Sequence, residues 1–338
     1  MTTQERSQIK RGVSLYSYQE EYYTRAMTLE DCFAELASMG TEGVELIAEQ
    51  MVPNYPNPPQ SWVDAWHRMM DKYHLKPVCM DVFVDTTWGG HRQMSVQESV
   101  DMLVTQMQLC NLLGFKVMRP TTGPVADSAT AMIYGALPFA EKLDVKIAVE
   151  IHSPIQLRSK YFDDYLDLIA KTGTKHFGFT LDLGIFCKRL PKILIEHFLR
   201  KGASDAVAKY LSESFVKGTD LETRIKEVQK LSSKEVDLEF AWHSSAFGPS
   251  VNEPKDLPAI TPYIYNIHGK FYEMLEDMTE YSIPYDQVIP VLLAGGCPAT
   301  HINSEFEGQR LTQDAFETDS CEQIRRHQLM LKQLLGEI

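Results

Sequence analysis

The chain has 338 residues, of which 33 are Lys or Arg and 46 Asp or Glu, giving a formal net charge of −13, with 44% hydrophobic and 23% charged residues. That balance describes one large or two ordinary globular domains, and the acidic total argues against nucleic-acid binding, which needs a basic footprint. No apolar run approaches the roughly 20 residues of a membrane-spanning helix, and the polar start MTTQERSQIKRG has no apolar signal core, so the expected location is the cytoplasm.

Gly12–Ser17, GVSLYS, is short, apolar and β-prone and reads as a first strand. Thr28 can cap the next helix, with Asp31 three residues on in a near capping box; Leu29, Cys32, Phe33, Leu36 and Met39 fall at helical spacing and Gly40 suits the C′ position. Gly43–Ile47 is a second strand, and the Pro-rich loop VPNYPNPPQ leads to a helix near Ser61–Tyr73. Strand three is Lys76–Phe83, Ser95 opens a long helix, and strand four is Lys116–Arg119, stopped by Pro120. A helix over Ser128–Leu143 precedes strand five, Lys146–His152, KIAVEIH. Tyr161–Thr172 is helical with Gly173 behind it, and Phe177–Asp182 is strand six.

After Asp182 the rhythm breaks. Several helical pieces fill Ile185–Leu231, and a loop with several prolines runs from Gly248 to Pro262. Tyr263–His268 is strand seven, Asp286–Leu293 is helical, His301–Phe306 is strand eight, and Ser320–Leu335 is a final amphipathic helix. Eight strand candidates alternating with helices predict an α/β fold, a (β/α)8 TIM barrel spanning 1–338 as a single domain, with an enlarged helical region after strand six at about 185–262. The competing architecture is an open doubly wound sheet; no GxGxxG follows the first strand, and no nucleotide cofactor is expected. The six cysteines form no CxxC pair and read as small core residues or incidental surface thiols.

Four strands in the second half end in potential metal ligands: Glu150, Asp182, His268 and Glu305. Alone, each has a structural explanation; Asp182 before Gly184 could be a turn residue, and His268 before Gly269 a satisfied strand-end histidine. Together they occupy one topological position, and in a parallel barrel those ends converge. Three carboxylates and an imidazole around one point call for a divalent cation, Mn2+ or Mg2+ first, with Zn2+ or Co2+ as further candidates. Glu150 and His152 share one face of strand five. Arg119, at the end of strand four, is a candidate donor to a substrate oxygen, and His243 could approach the site from the helical region. Glu45 could face the same rim from the far side, Asp81 and Asp85 could line the pocket, and Glu307 falls in the loop past Glu305. Asp163, Asp164 and Asp167 read as a solvated helix face, and His67, His74, His197 and His327 as structural or exposed residues.

The pattern VEIH…FTLDLG…NIHGK…INSEFEG resembles the xylose-isomerase-like barrels, the sugar phosphate isomerase/epimerase superfamily; GVSLYS and GTEGVEL fit the same family. The resemblance implies metal ligands at Glu150, Asp182, His268 and Glu305. More narrowly, the chain resembles the large catalytic (alpha) subunits of the bacterial C-glycoside deglycosidases. Glu150 and His152 match their metal ligand and acid/base histidine, and the enlarged region after strand six fits. This likeness implies a small β-rich partner subunit and a 3-oxo-glycoside substrate, from which elimination expels an aromatic aglycone after C2 deprotonation by His152; Glu305 or Glu150 could carry that proton instead. The alternatives are a metal-dependent keto-sugar isomerase or 3-epimerase, a metal-dependent endonuclease, which the charge of −13 opposes, and a scaffold subunit without chemistry.

Overall fold

The computed structural model describes residues 9–84, 92–121, 126–248, 251–311 and 319–338. In chain order, β1 (Lys10–Ser14) passes through a 3-10 turn into α1 (Gln19–Tyr23) and α2 (Leu29–Ser38). β2 (Gly43–Ile47) is followed by α3 (Ala48–Met51) and α4 (Gln60–Tyr73), and β3 (Lys76–Phe83) by α5 (Val96–Leu112). β4 (Val117–Thr121), α6 (Ala126–Leu143), β5 (Lys146–Ile151), α7 (Lys160–Thr172) and β6 (Phe177–Asp182) continue the alternation. Four helices then precede the next strand: α8 (Lys192–Arg200), α9 (Asp205–Val216), α10 (Leu221–Leu231) and α11 (Glu235–His243). β7 (Ile264–Phe271), α12 (Tyr285–Gly295), β8 (His301–Phe306) and α13 (Ser320–Leu334) complete the chain. The strands pair in sequence order as a closed parallel barrel, β8 against β1. No described helix is long and apolar enough to cross a membrane.

Local chemistry explains the element ends. Thr28 and Asp31 form a full capping box, Asp31 N donating to Thr28 Oγ1 at 3.2 Å and Thr28 N to Asp31 Oδ2 at 2.8 Å. Gly40 takes φ +66° just past α2, as its C′ position requires. Ser95 and Glu98 repeat the box at α5. Four strand ends differ from the sequence reading, β5 by one residue, since it ends at Ile151. β1 stops at Ser14, whose Oγ accepts from Tyr16 N at 3.4 Å and starts the 3-10 turn. Pro120 does not stop β4, which pairs with β3 through Thr121. The β4–β5 register ends at Met118, so the missing Pro120 N–H lies where the strand is paired on one side only. β7 runs three residues past His268, to Phe271.

Under the barrel mouth the packing is partly polar. Asn303 Nδ2 donates to Glu45 Oε2 at 2.5 Å and to Asn266 Oδ1 at 2.9 Å. A Cβ on Gly12 would lie 2.1 Å from Asn303 Oδ1, so the carboxamide occupies the space that glycine leaves open. Outside the barrel, His327 of α13 is fully buried, stacks at 4.1 Å on Phe271 and shares a 2.6 Å hydrogen bond between Nδ1 and Ser304 Oγ. Burial pushes its pKa down to about 3, whereas an unfolded histidine titrates near ~6.5. The unfolded chain therefore takes up this proton first, and stability falls as pH drops from ~6.5 toward about 3, by up to ~1.4 kcal/mol per pH unit. His301, pushed down to about 4 by burial, adds to the same slope. His327→Gln is expected to flatten this acid limb in urea unfolding at pH 7 and pH 5; an unchanged difference between the two pH values would sink the assignment.

Candidate active site

Glu150 lies one residue before the end of β5, Asp182 ends β6, His268 lies within β7 and Glu305 is one residue before the end of β8. Register aligns Asp182 with His268 and Lys270 with Glu305. All four expected ligands are buried, and one ligand atom from each lies within 4.8 Å of the others. His268 Nδ1 is 3.1 Å from Glu150 Oε1 and 3.1 Å from Glu305 Oε2. Asp182 Oδ1 accepts from Gly184 N at 2.6 Å and fixes the turn, while Oδ2 faces Lys270 Nζ at 3.2 Å.

Beneath this group, His268 Nε2 is 2.5 Å from Glu45 Oε1, and both side chains are fully buried. A carboxylate only accepts, so Nε2 carries a proton, and Nδ1, facing Glu150 and Glu305, is the nitrogen a metal ion held there would take. Glu45 is therefore not a rim residue; it orients His268 from inside the barrel. Glu45→Gln is expected to weaken metal binding by about 10- to 100-fold while the barrel stays folded. Metal titration of wild type and variant checks this, and equal affinities would remove the orienting role.

Arg119 is similarly committed. Its Nε donates to Asp81 Oδ1 at 2.9 Å, and its Nη1 reaches Glu150 Oε2 at 3.2 Å and the Thr121 hydroxyl. It touches the cavity, but its main contacts hold Glu150 in place. Asp81 is fully buried behind Arg119 and does not line the cavity, and Asp85 lies outside the described residues.

The charges fit a cation. Burial pushes the Asp182 carboxyl up to about 6; Lys270 opposes the shift, and Glu305 and Glu150 add to it. Burial would also raise Glu305, yet His268 and Lys270 hold it at about 2. Glu150 stays well below the carboxylate range against its burial because of Arg119 and His268. His268 is pushed up despite burial, chiefly by Glu305 and Glu45. Glu305 Oε2 is buried between His268 Nδ1 at 3.1 Å and Lys270 Nζ at 3.0 Å. A clustered, buried Glu-Asp-His-Glu set whose histidine is held from behind by Glu45 suits a divalent ion.

Above the ligands opens a cavity of about 460 Å3, lined by Glu150, Asp182, Glu305, Arg119 and His152 among others. His152 follows β5, and its Nδ1 is 2.8 Å from Ser153 O. A carbonyl can only accept, so Nδ1 holds the proton and Nε2 is the basic nitrogen. His243 lies elsewhere: it is exposed at the end of α11, with Nδ1 3.0 Å from Glu239 O and its ring against Phe198. The rim side of that region is formed instead by Ala246 and Phe247. Lys270 is a further member of the site that strand positions alone do not single out. It contacts Asp182, Glu305 and Glu307, the last at 3.2 Å, and Glu307 Oε1 accepts from Tyr16 Oη at 3.1 Å. The available signal was parity: Lys270 is two residues past His268 on the same strand face.

A family model described as the xylose isomerase-like TIM barrel matches residues 33–221, more than half of the chain, and the chain belongs to that family. Among curated proteins it is similar to the 3'-dehydrocarminate deglycosidase alpha subunit of a Microbacterium species, 27% identical over 345 residues, covering 97% of this chain and 95% of that one. It is also similar to a C-glycoside deglycosidase alpha subunit of Arthrobacter globiformis, 24% identical, covering 98% and 94% of the two chains. A sugar phosphate isomerase/epimerase from Parabacteroides distasonis shares the fold, with a TM-score of 0.58, 11% identity and coverage of 98% and 96%. So does the IOLI protein solved with a zinc atom, with a TM-score of 0.59, 12% identity and coverage of 97% and 99%.

Proposed function

We propose that the chain is the catalytic subunit of a metal-dependent C-glycoside deglycosidase, a carbon–carbon lyase acting on a 3-oxo-glucoside with an aromatic aglycone. The observation that carries this reading is the buried Glu150, Asp182, His268 and Glu305 group with His152 on the cavity wall, in a chain aligned nearly end to end with deglycosidase alpha subunits. A divalent ion held there, Mn2+ by preference, would supply Lewis-acid polarisation of the 3-ketone.

The chain's own residues do the rest. His152 takes the C2 proton on Nε2, while Ser153 O holds its tautomer. The C2–H electron pair becomes the enolate. Its collapse forms the C1–C2 double bond and breaks the bond from C1 to the aglycone, whose carbon leaves with the bonding pair and takes up a proton. The sugar product is a 1,2-unsaturated 3-ketone. Arg119 and Thr121 hold Glu150, and Lys270 places an ammonium near the developing negative charge. The relatives are named alpha subunits, which supports a second, small β-rich chain as partner.

Assay of the chain co-expressed with its small genomic neighbours separates this reading from isomerisation. Release of aglycone from a 3-oxo-C-glucoside supports it; epimerisation of a free ketose with no aglycone release from any such pair overturns it.

A further inference from the structure

Beside the catalytic cavity, between α1 and the start of α4, lies a groove of about 1000 Å3. Gln50 lines both spaces, so the groove adjoins the cavity across one side chain. At this junction Gln50 Nε2 is 3.5 Å from Gln19 Oε1.

The lining is aromatic and nearly neutral. Tyr22, Tyr23, Trp62, Met27 and Leu29 supply its apolar surface, and among the described residues its charged lining is Glu20 and Arg25, of opposite sign. Such a surface does not select an anion or a cation. It suits a flat, uncharged ring with a few hydroxyl groups. Trp62 is also held rigidly. Its ring stacks on Trp66 at 5.9 Å and 21°, and Trp66 is fully buried, packed on Phe115 at 5.5 Å and donating from Nε1 to Leu113 O at 3.0 Å. Trp62 is thus the half-exposed end of an aromatic stack rooted in the core, a platform that costs little entropy when a ligand settles on it.

We propose that this groove is the aglycone subsite: with the sugar at the metal ligands, the aromatic aglycone projects past Gln50 and stacks on Trp62 and Tyr22. The assignment rests on the deglycosidase reading for the identity of the ligand, and it adds what sets substrate choice. Large, fused aglycones gain most from the platform, and single rings reach less of it.

The test is binding of a sugar-free flavone to the metal-loaded full chain, followed by calorimetry. Trp62→Ala is expected to weaken binding about tenfold, and Trp62→Phe to restore most of it. Tyr134→Ala, on the exposed face of α6, is expected to leave flavone binding unchanged. With 3-oxo-C-glucosides, Trp62→Ala should raise KM more for a fused aglycone than for a single phenol ring. Thermal unfolding and metal content are compared to confirm that each variant is folded. Weakened flavone binding in folded Trp62→Ala supports the groove whether or not turnover is seen. Unchanged binding overturns it even if the lyase reaction is confirmed, so the subsite and the reaction are decided by separate measurements.

Discussion

Glu150→Gln is expected to abolish stable metal retention and aglycone release together. The carboxylate lies 3.1 Å from His268 Nδ1 through one oxygen and 3.2 Å from Arg119 through the other. The amide keeps the shape but removes a charge that a hard divalent cation needs. It also leaves the buried Arg119 with a weaker partner, so some loss of stability accompanies the loss of metal. Metal analysis of the dialysed protein checks the first part. A variant that retained wild-type metal content would remove Glu150 from the ligand set.

His152→Ala is expected to lower turnover by about 10²- to 10⁴-fold, the usual contribution of a positioned general base. Metal content should stay close to wild type, because His152 lies outside the ligand group. The pair of variants therefore separates two neighbouring residues of β5 and its loop: Glu150 fails in metal and activity, His152 in activity alone. Full turnover in His152→Ala would pass the proton-carrier role to Glu305 or Glu150.

The Glu-Asp-His-Glu cluster is legible because each member lies at or near the C-terminal end of an expected strand, and parallel strands in a closed barrel bring those ends together. Glu150, Asp182, His268 and Glu305 needed only strand positions and polarity. Glu45 was not legible in the same way. It meets His268 across the barrel at a separation of 223 residues, and only closure and register bring them into contact. Its place in GVEL suggested a rim residue, whereas the stagger of the barrel sets it below the ligands. Lys270 was hidden by a strand end placed at His268, three residues before the end of β7. His243 follows the expected helical pieces in sequence, but the helix that carries it turns its ring outward onto Phe198. Trp62 sits in an ordinary amphipathic helix, so its role in a groove depends on how α1 and α4 pack at the rim.

The most direct test of the proposed function is turnover of a 3-oxo-C-glucoside by the chain with the proposed partner subunit, before and after chelation, with products identified by mass. The expected result is equimolar aglycone and 1,2-unsaturated 3-keto sugar, lost on chelation and regained with Mn2+. Aglycone release that persists at full rate in the chelated, metal-free protein would contradict the metal-dependent mechanism.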